Sequence, residues 1–260
     1  MNKLNQLFNL HGKIVAVIGG SSVLGGEMTQ ALADAGAKTA IVYNGNRAGA
    51  DELKSDICAS GGGAMICQAD VRNETSLEVA LDNVIQKWGR LDILVNAPGV
   101  NSTTPIMEIT EDEWNNILDI NLKGVFLASR LAAKHMIKQG DGGSIINISS
   151  ASSEIPLSKV FTYSISKAGI NNMTRFLARE WAPHKIRVNA IMPGFFPAEQ
   201  NQKILTEERQ KAIFNHTALK RYGNPEELSG AVVWLASENA SSFVTGAIIP
   251  VDGGFTAMSI

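Results

Sequence analysis

Apolar residues along this chain fall into two alternating rhythms. Short, largely apolar runs stand at 14–18, 39–43, 64–68, 93–96, 144–148, 187–191 and 247–251. They do not alternate apolar with polar, which suits strands covered on both faces. Between them, apolar positions spaced three and four apart predict helices over 25–35, 48–60, 75–88, 111–139, 163–181 and 225–237. Strand and helix in turn, joined by right-handed crossovers, predict an α/β fold with a doubly wound parallel sheet. Several boundaries have readable causes. Gly36 follows the first helix as a stop, and Gly61, Gly62 and Gly63 break the chain before the third strand. Thr110 with Glu113 reads as a capping box, and Asn224 before Pro225 opens another helix. No linker, repeat or biased segment interrupts the pattern, so residues 1–260 are expected to form one domain.

Composition narrows the class. The chain has 260 residues, 45% of them hydrophobic, and a formal charge of -2. That balance supplies a large core and gives no basic field for nucleic acid or an anionic membrane. No apolar run reaches membrane-spanning length, and the first eleven residues lack the apolar core of a signal peptide. A cytoplasmic protein acting on a small molecule is expected. Cys58 and Cys67 read as ordinary thiols, and His11, His135, His184 and His216 have no metal-ligand spacing.

Two local patterns carry chemistry. The strand 14–18 runs into Gly19-Gly20-Ser21-Ser22-Val23-Leu24-Gly25-Gly26 and then into a helix. A glycine-rich turn at a helix N-terminus points backbone N–H groups outward and favours a diphosphate. Further on, Tyr163 and Lys167 stand four apart, with Ser150 thirteen residues before the tyrosine. On a helix that spacing sets a phenol beside an ammonium, and the cation is expected to pull the phenol toward neutrality for proton exchange. Ser150 ends a strand-like run and could donate a hydrogen bond to a substrate oxygen.

These residues together resemble the short-chain dehydrogenase/reductase family, over nearly the whole chain. The landmarks are Gly19 and Gly25, Asp70 after the third strand, and Asn96 to Gly99 after the fourth. They continue through Asn121, Ser150, Tyr163, Lys167, Pro193-Gly194 and the closing Val251 to Gly254. The resemblance implies a Rossmann-type sheet of seven strands in the order 3-2-1-4-5-6-7. It implies that Tyr163 exchanges the proton and that Lys167 supports it while binding the nicotinamide ribose. Ser150 would orient the substrate oxygen, and Asn121 would anchor a water near Lys167. Cofactor contact falls to Gly19, Ser21, Ser22, Leu24, Gly25, Asn44 and Arg47. Asp70, Val71, Asn96, Ala97, Pro193 and Gly194 join them, with Tyr163 and Lys167. Residues 193–215 would form a lid, and Ser150, Glu154, Tyr163, Phe195 and Phe196 would meet substrate. Asn101, Ser102, Glu199 and Asn201 offer further hydrogen bonds to a polyhydroxylated molecule. Related proteins pair their fourth-crossover and Tyr–Lys helices and their last strand, which implies a homotetramer.

Three departures from the family pattern matter. Val23 replaces the middle glycine of the cofactor turn and is expected to crowd it. Asn96-Ala97-Pro98-Gly99 replaces the usual Asn-Asn-Ala-Gly, and Ala198 stands where a threonine often binds the carboxamide. The Val-Leu-Gly turn and Phe195-Phe196 resemble a sugar-acid branch acting on mannonate or fructuronate. An NAD(P)-dependent enzyme interconverting a secondary alcohol and a ketone, with a sugar acid as substrate, is therefore expected. A 3-oxoacyl-thioester reductase and a non-catalytic nucleotide sensor are the alternatives. After the second strand no carboxylate stands to repel a 2′-phosphate, and Arg47 could pair with one, so NADP is favoured over NAD.

Overall fold

A computed structural model describes residues 3–197 and 206–258. They contain seven strands: β1 Ile14–Ile18, β2 Lys38–Tyr43, β3 Gly63–Gln68, β4 Ile93–Asn96, β5 Gly143–Ile148, β6 Ile186–Pro193 and β7 Ile248–Val251. All pair in parallel, in the order β3-β2-β1-β4-β5-β6-β7. The expected order and strand positions both hold. Around the sheet lie α1 Lys3–Leu7, α2 Val23–Asp34, α3 Arg47–Ala59, α4 Glu74–Trp88, α5 Glu111–Leu118 and α6 Gly124–Gln139. They are followed by α7 Phe161–Trp181, α8 Glu207–Asn215, α9 Ser229–Ala236 and α10 Glu238–Ser241.

The unbroken apolar runs have a direct structural cause. Along β1, Ile14, Ala16 and Ile18 face a core completed by α4, α6 and α7, including Leu81, Leu131 and Leu177. Val15 and Val17 face the opposite core, built with Met28 and Leu32 of α2 and Val232 and Leu235 of α9. Each such side chain removed from water contributes about 1.5–3 kcal/mol, and both faces contribute. A polar seam crosses the sheet at its centre. Asn96 Nδ2 donates to Ser129 Oγ and to Asn147 Oδ1, both at 2.9 Å, and Asn147 Nδ2 donates to Thr174 Oγ1 at 3.0 Å. The seam ties β4 and β5 to α6 and α7, so these four elements hold one relative position.

Three expectations need correction. The helix expected over 111–139 is α5 and α6 separated by a π turn, Asp119–Lys123, in which Gly124 N–H bonds Asp119 C=O. One extra residue in that turn re-aims Asn121 inward, and Asn121 is fully buried. The capping box at Thr110 is half formed. Thr110 accepts from Glu113 N–H, but the Glu113 carboxylate accepts from Ser102 and Thr104 hydroxyls at 2.7 and 2.6 Å. The helix at 225–237 opens as a 3-10 turn, Pro225–Leu228, before α9 begins, with Glu227 accepting from Asn224 N–H. Helix α8, inside the segment expected as a lid, was not anticipated: Ile213 is its one buried residue, too little for an amphipathic signal.

Candidate active site

Parallel strands leave their C-terminal ends on one edge, and there a cleft of about 940 Å³ opens. Its floor runs from Asp70 beyond β3, past the turn after β1, to Tyr163 and Phe195 beyond β5 and β6.

The glycine-rich turn is built by close approach. Gly19 has φ +76°, and a Cβ there would stand 2.7 Å from the Ala97 carbonyl oxygen. At Gly25 a Cβ would collide with the Gly19 carbonyl. Ser22 caps α2, accepting from Gly25 N–H at 3.1 Å while donating to Gly19 C=O at 2.7 Å. Such a turn lets a diphosphate lie against backbone at a helix N-terminus, so the residues present fit a dinucleotide. Val23, the first residue of α2, is 53% exposed and lines the cleft.

Of the other expected cofactor residues, Ser21, Ser22, Leu24, Asn44, Val71, Ala97, Pro193 and Gly194 line the cleft. Asp70 also lines it and is gripped by Arg72 through Nε at 3.0 Å and Nη2 at 2.7 Å. Those bonds hold its carboxyl below the ordinary range. Asn96 is not in the lining; it is buried in the polar seam and places Ala97 from below. Gly25 is buried in the turn itself. Arg47 is not brought to the cleft either. It begins α3, points to Asp51 at 3.4 Å and is 72% exposed, while Asn46 lines the cleft and donates to Ser21 C=O at 3.0 Å.

At the other end, α7 presents Tyr163 and Lys167 on one face, as their spacing predicts. Lys167 is buried, and its Nζ donates to the Ile148 carbonyl at 2.8 Å. Nζ lies 5.6 Å from the centre of the Tyr163 ring. Burial pushes the lysine down to about 8. The expected lowering of the phenol is not found: burial raises Tyr163, and the Ser150 hydrogen bond pulls it only partly back. The ammonium is turned to a carbonyl, and desolvation governs the phenol. Ser150 Oγ is oriented by Ser152, which donates through N–H at 3.2 Å and Oγ at 3.1 Å. Asn121 clamps the loop after β4, accepting from Val100 N–H and donating to Val100 C=O, both at 2.9 Å. It also donates to Ser166 Oγ at 3.1 Å.

Phe195 and Phe196 both line the cleft, Phe195 edge-on to Phe255 at 5.2 Å. Glu154 does not; it is exposed beyond the 3-10 turn Ala151–Ser153. Asn101 lines the cleft, whereas Ser102 is tied to Glu113. Ala198, Glu199, Gln200 and Asn201 lie outside the described residues. Sequence reasoning missed Ser152, Leu157, Val160 and Arg209 in the lining. Only the run of serines after Ser150 could have signalled one of them.

A family described as enoyl-(acyl carrier protein) reductase matches residues 19–256. The uncharacterized oxidoreductase UxuB of Bacillus subtilis is 39% identical over 96% of this chain and 97% of its own. The 2-dehydro-3-deoxy-D-gluconate 5-dehydrogenase of Escherichia coli is 38% identical over 96% and 98%. Among solved structures, a gluconate 5-dehydrogenase from Burkholderia cenocepacia in complex with NADP and tartrate superposes with a TM-score of 0.92. It is 31% identical, over 98% of this chain and all of that one.

The buried lysine makes stability depend on pH in a definite direction. Unfolded lysine titrates near its ordinary value, so between about pH 8 and 10.4 the unfolded chain binds more protons than the folded one. The cost of burying the ammonium is complete below pH 8 and fades as pH rises through that window. Lys167→Met should therefore be more stable than the wild type at pH 7, by roughly 1–3 kcal/mol. Urea unfolding at pH 7 and pH 10 measures it: the gap should narrow at the higher pH, and a widening gap contradicts the assignment.

Proposed function

This chain belongs to the short-chain dehydrogenase/reductase family of NAD(P)-dependent oxidoreductases, and we propose that it interconverts a secondary alcohol and a ketone in a sugar acid. The observation that carries the reading is the meeting of Ser150, Tyr163 and Lys167 in one cleft with a dinucleotide-shaped turn. The relatives' names, with gluconate derivatives as their substrates, support the acid.

In this reading the turn from Gly19 to Gly25 holds the diphosphate. The nicotinamide ring, when bound, gives or takes the hydride. Tyr163 donates the proton to the carbonyl oxygen in reduction and removes it from the alcohol in oxidation. Ser150, fixed by Ser152, donates a hydrogen bond to the same oxygen and stabilises its developing charge. Lys167 keeps a positive charge below the phenol and donates to the ribose. Asn121 holds Val100 and with it the cleft wall from Pro98 to Val100. Residues 1–260 act as one domain, with 193–215 as the lid.

No helix among the described residues is long and apolar enough to cross a membrane. We place the enzyme in the cytoplasm, in keeping with the free thiols Cys58 and Cys67. We also place it in a homotetramer. Along α5, α6 and α7, Ile117, Val125, Leu131, Ile170 and Leu177 are buried within the chain. Phe126 and Phe176 remain exposed, joined by Ile137, Phe161 and Ile165 on α6 and α7. NADP is the favoured cofactor. Ser22 after β1 and Asn44 and Asn46 after β2 line the cleft, and among the described residues neither of those two turns adds a carboxylate to its lining. Arg47 leaves Asp51 at little cost, because an exposed ion pair is worth about 0–1 kcal/mol.

Tyr163→Phe should fold and bind NADPH as the wild type does while losing about two to four orders of magnitude in turnover. A rate near the wild type's removes Tyr163 from the chemistry. In the same assay, a keto sugar acid should be a better substrate than an acetoacetyl thioester; the reverse order favours the acyl-thioester reading. The ratio of kcat/KM for NADPH over NADH should exceed one and fall about tenfold in Arg47→Ala, the loss of one charge-assisted contact. A wild-type preference for NADH defeats the NADP assignment, and an unchanged ratio in the variant removes Arg47 from the phosphate site. Sedimentation should find a tetramer at micromolar concentration, and a stable monomer contradicts that assembly.

A further inference from the structure

Three charged side chains line the cleft among the described residues: Asp70, Lys167 and Arg209. Asp70 stands at the β3 end and is already neutralised by Arg72. Lys167 is buried beneath Tyr163 and committed to the Ile148 carbonyl. Arg209 is different. It comes from the first turn of α8 and lines the cleft, as do Leu157, Val160 and Phe195. Among the described residues its guanidinium is braced by Ser158 alone, through Nη1 to Ser158 Oγ at 3.1 Å and Nη2 to the Ser158 carbonyl at 3.4 Å.

We propose that Arg209 is the receptor for the substrate's carboxylate and that it makes the cleft prefer a hydroxy acid over a neutral sugar of the same length. The proposal rests on reading the cleft as an oxidoreductase site for a polyhydroxylated substrate, and names the group that selects the acid. A guanidinium carries five donors in a planar fork, so two bonds to Ser158 leave others free to face a carboxylate. The bracing also lowers the freedom lost on binding, as pre-organisation does. A neutral ketose offers that cation no charge to pair with, so only the acid gains the charge-assisted contact. With the carboxylate at Arg209 and the reacting oxygen at Tyr163 and Ser150, the substrate is held at two points. Its orientation across the nicotinamide side of the cleft is then fixed.

The test uses the full chain with NADPH, as the wild type, Arg209→Gln and Arg209→Lys. KM and kcat are measured for a keto sugar acid and a neutral ketose, and tartrate binding to the NADPH complex is followed by cofactor fluorescence. Arg209→Gln should raise KM for the acid by about 10–100-fold with little change in kcat, the mark of a lost binding contact to a charged group. Tartrate affinity should fall by a similar factor, while ketose turnover and NADPH affinity stay at wild-type values. Arg209→Lys should restore part of the acid's KM. Equal losses on acid and ketose overturn the proposal, as does tartrate binding indifferent to the variant. If the wild type binds tartrate through Arg209 yet reduces no sugar acid, the receptor stands and the substrate reading fails. If sugar acids turn over with an unchanged KM in Arg209→Gln, the receptor fails and the substrate reading stands. Binding of neither acid defeats both.

Discussion

An ammonium group buried under a phenol governs the arrangement of this molecule's working edge. Lys167 is almost completely removed from water, and the Ile148 carbonyl at 2.8 Å is the partner that makes this tolerable. That bond joins the last residue of β5 to the second turn of α7. The residues on either side inherit their positions from it: Ser150 follows Ile148 by two, and Tyr163 stands one helical turn before Lys167. The bond is bought with stability, since burial drives the lysine down to about 8. A protein selected only for folding would place an apolar residue there. Retention of the cation argues that its charge is used.

Around this centre the cleft is shaped by contacts in which backbone meets backbone or amide. Gly19 approaches Ala97 so closely that no side chain fits between β1 and β4 at that level. Asn121 reaches the loop after β4 from a π turn and takes both polar groups of Val100. Glu113, whose carboxyl is held low by the Thr104 and Ser102 hydroxyls, fixes the next stretch of the same wall. The wall of the cleft from Pro98 to Thr104 is therefore preset by fixed contacts. Beyond it, Phe195, Phe196 and α8 bring in the residues that differ most in kind: two aromatics and one arginine.

Much of this was legible in the sequence, for reasons of periodicity. Strands covered on both faces must be nearly all apolar, so β1 to β6 announced themselves; Tyr163 and Lys167 did so because four residues on a helix share a face. What stayed hidden depends on neighbours remote in sequence. A π turn changes the helical period by one residue in a helix that reads as continuous, so the true setting of Asn121 was invisible. The pairing of Tyr163 with Lys167 suggested a lowered phenol, but desolvation by residues from several elements reverses the direction. Arg47, a candidate phosphate ligand from its place after β2, pairs with Asp51 one turn later and would have to leave that exposed partner to reach the cleft. Arg209 lay on a helix with one buried side chain, where no pattern distinguishes a residue facing the cleft from one facing solvent.

The claim at the centre is that this chain moves a hydride to a carbonyl carbon while Tyr163 delivers the proton. The most direct measurement supplies NADPH deuterated at the transferred position together with a keto sugar acid, and follows the product by mass spectrometry. The wild type should place one deuterium at the former carbonyl carbon, and Tyr163→Phe should give almost no labelled product over the same time. No labelled hydroxy acid from the wild type, or an equal yield from Tyr163→Phe, would contradict it.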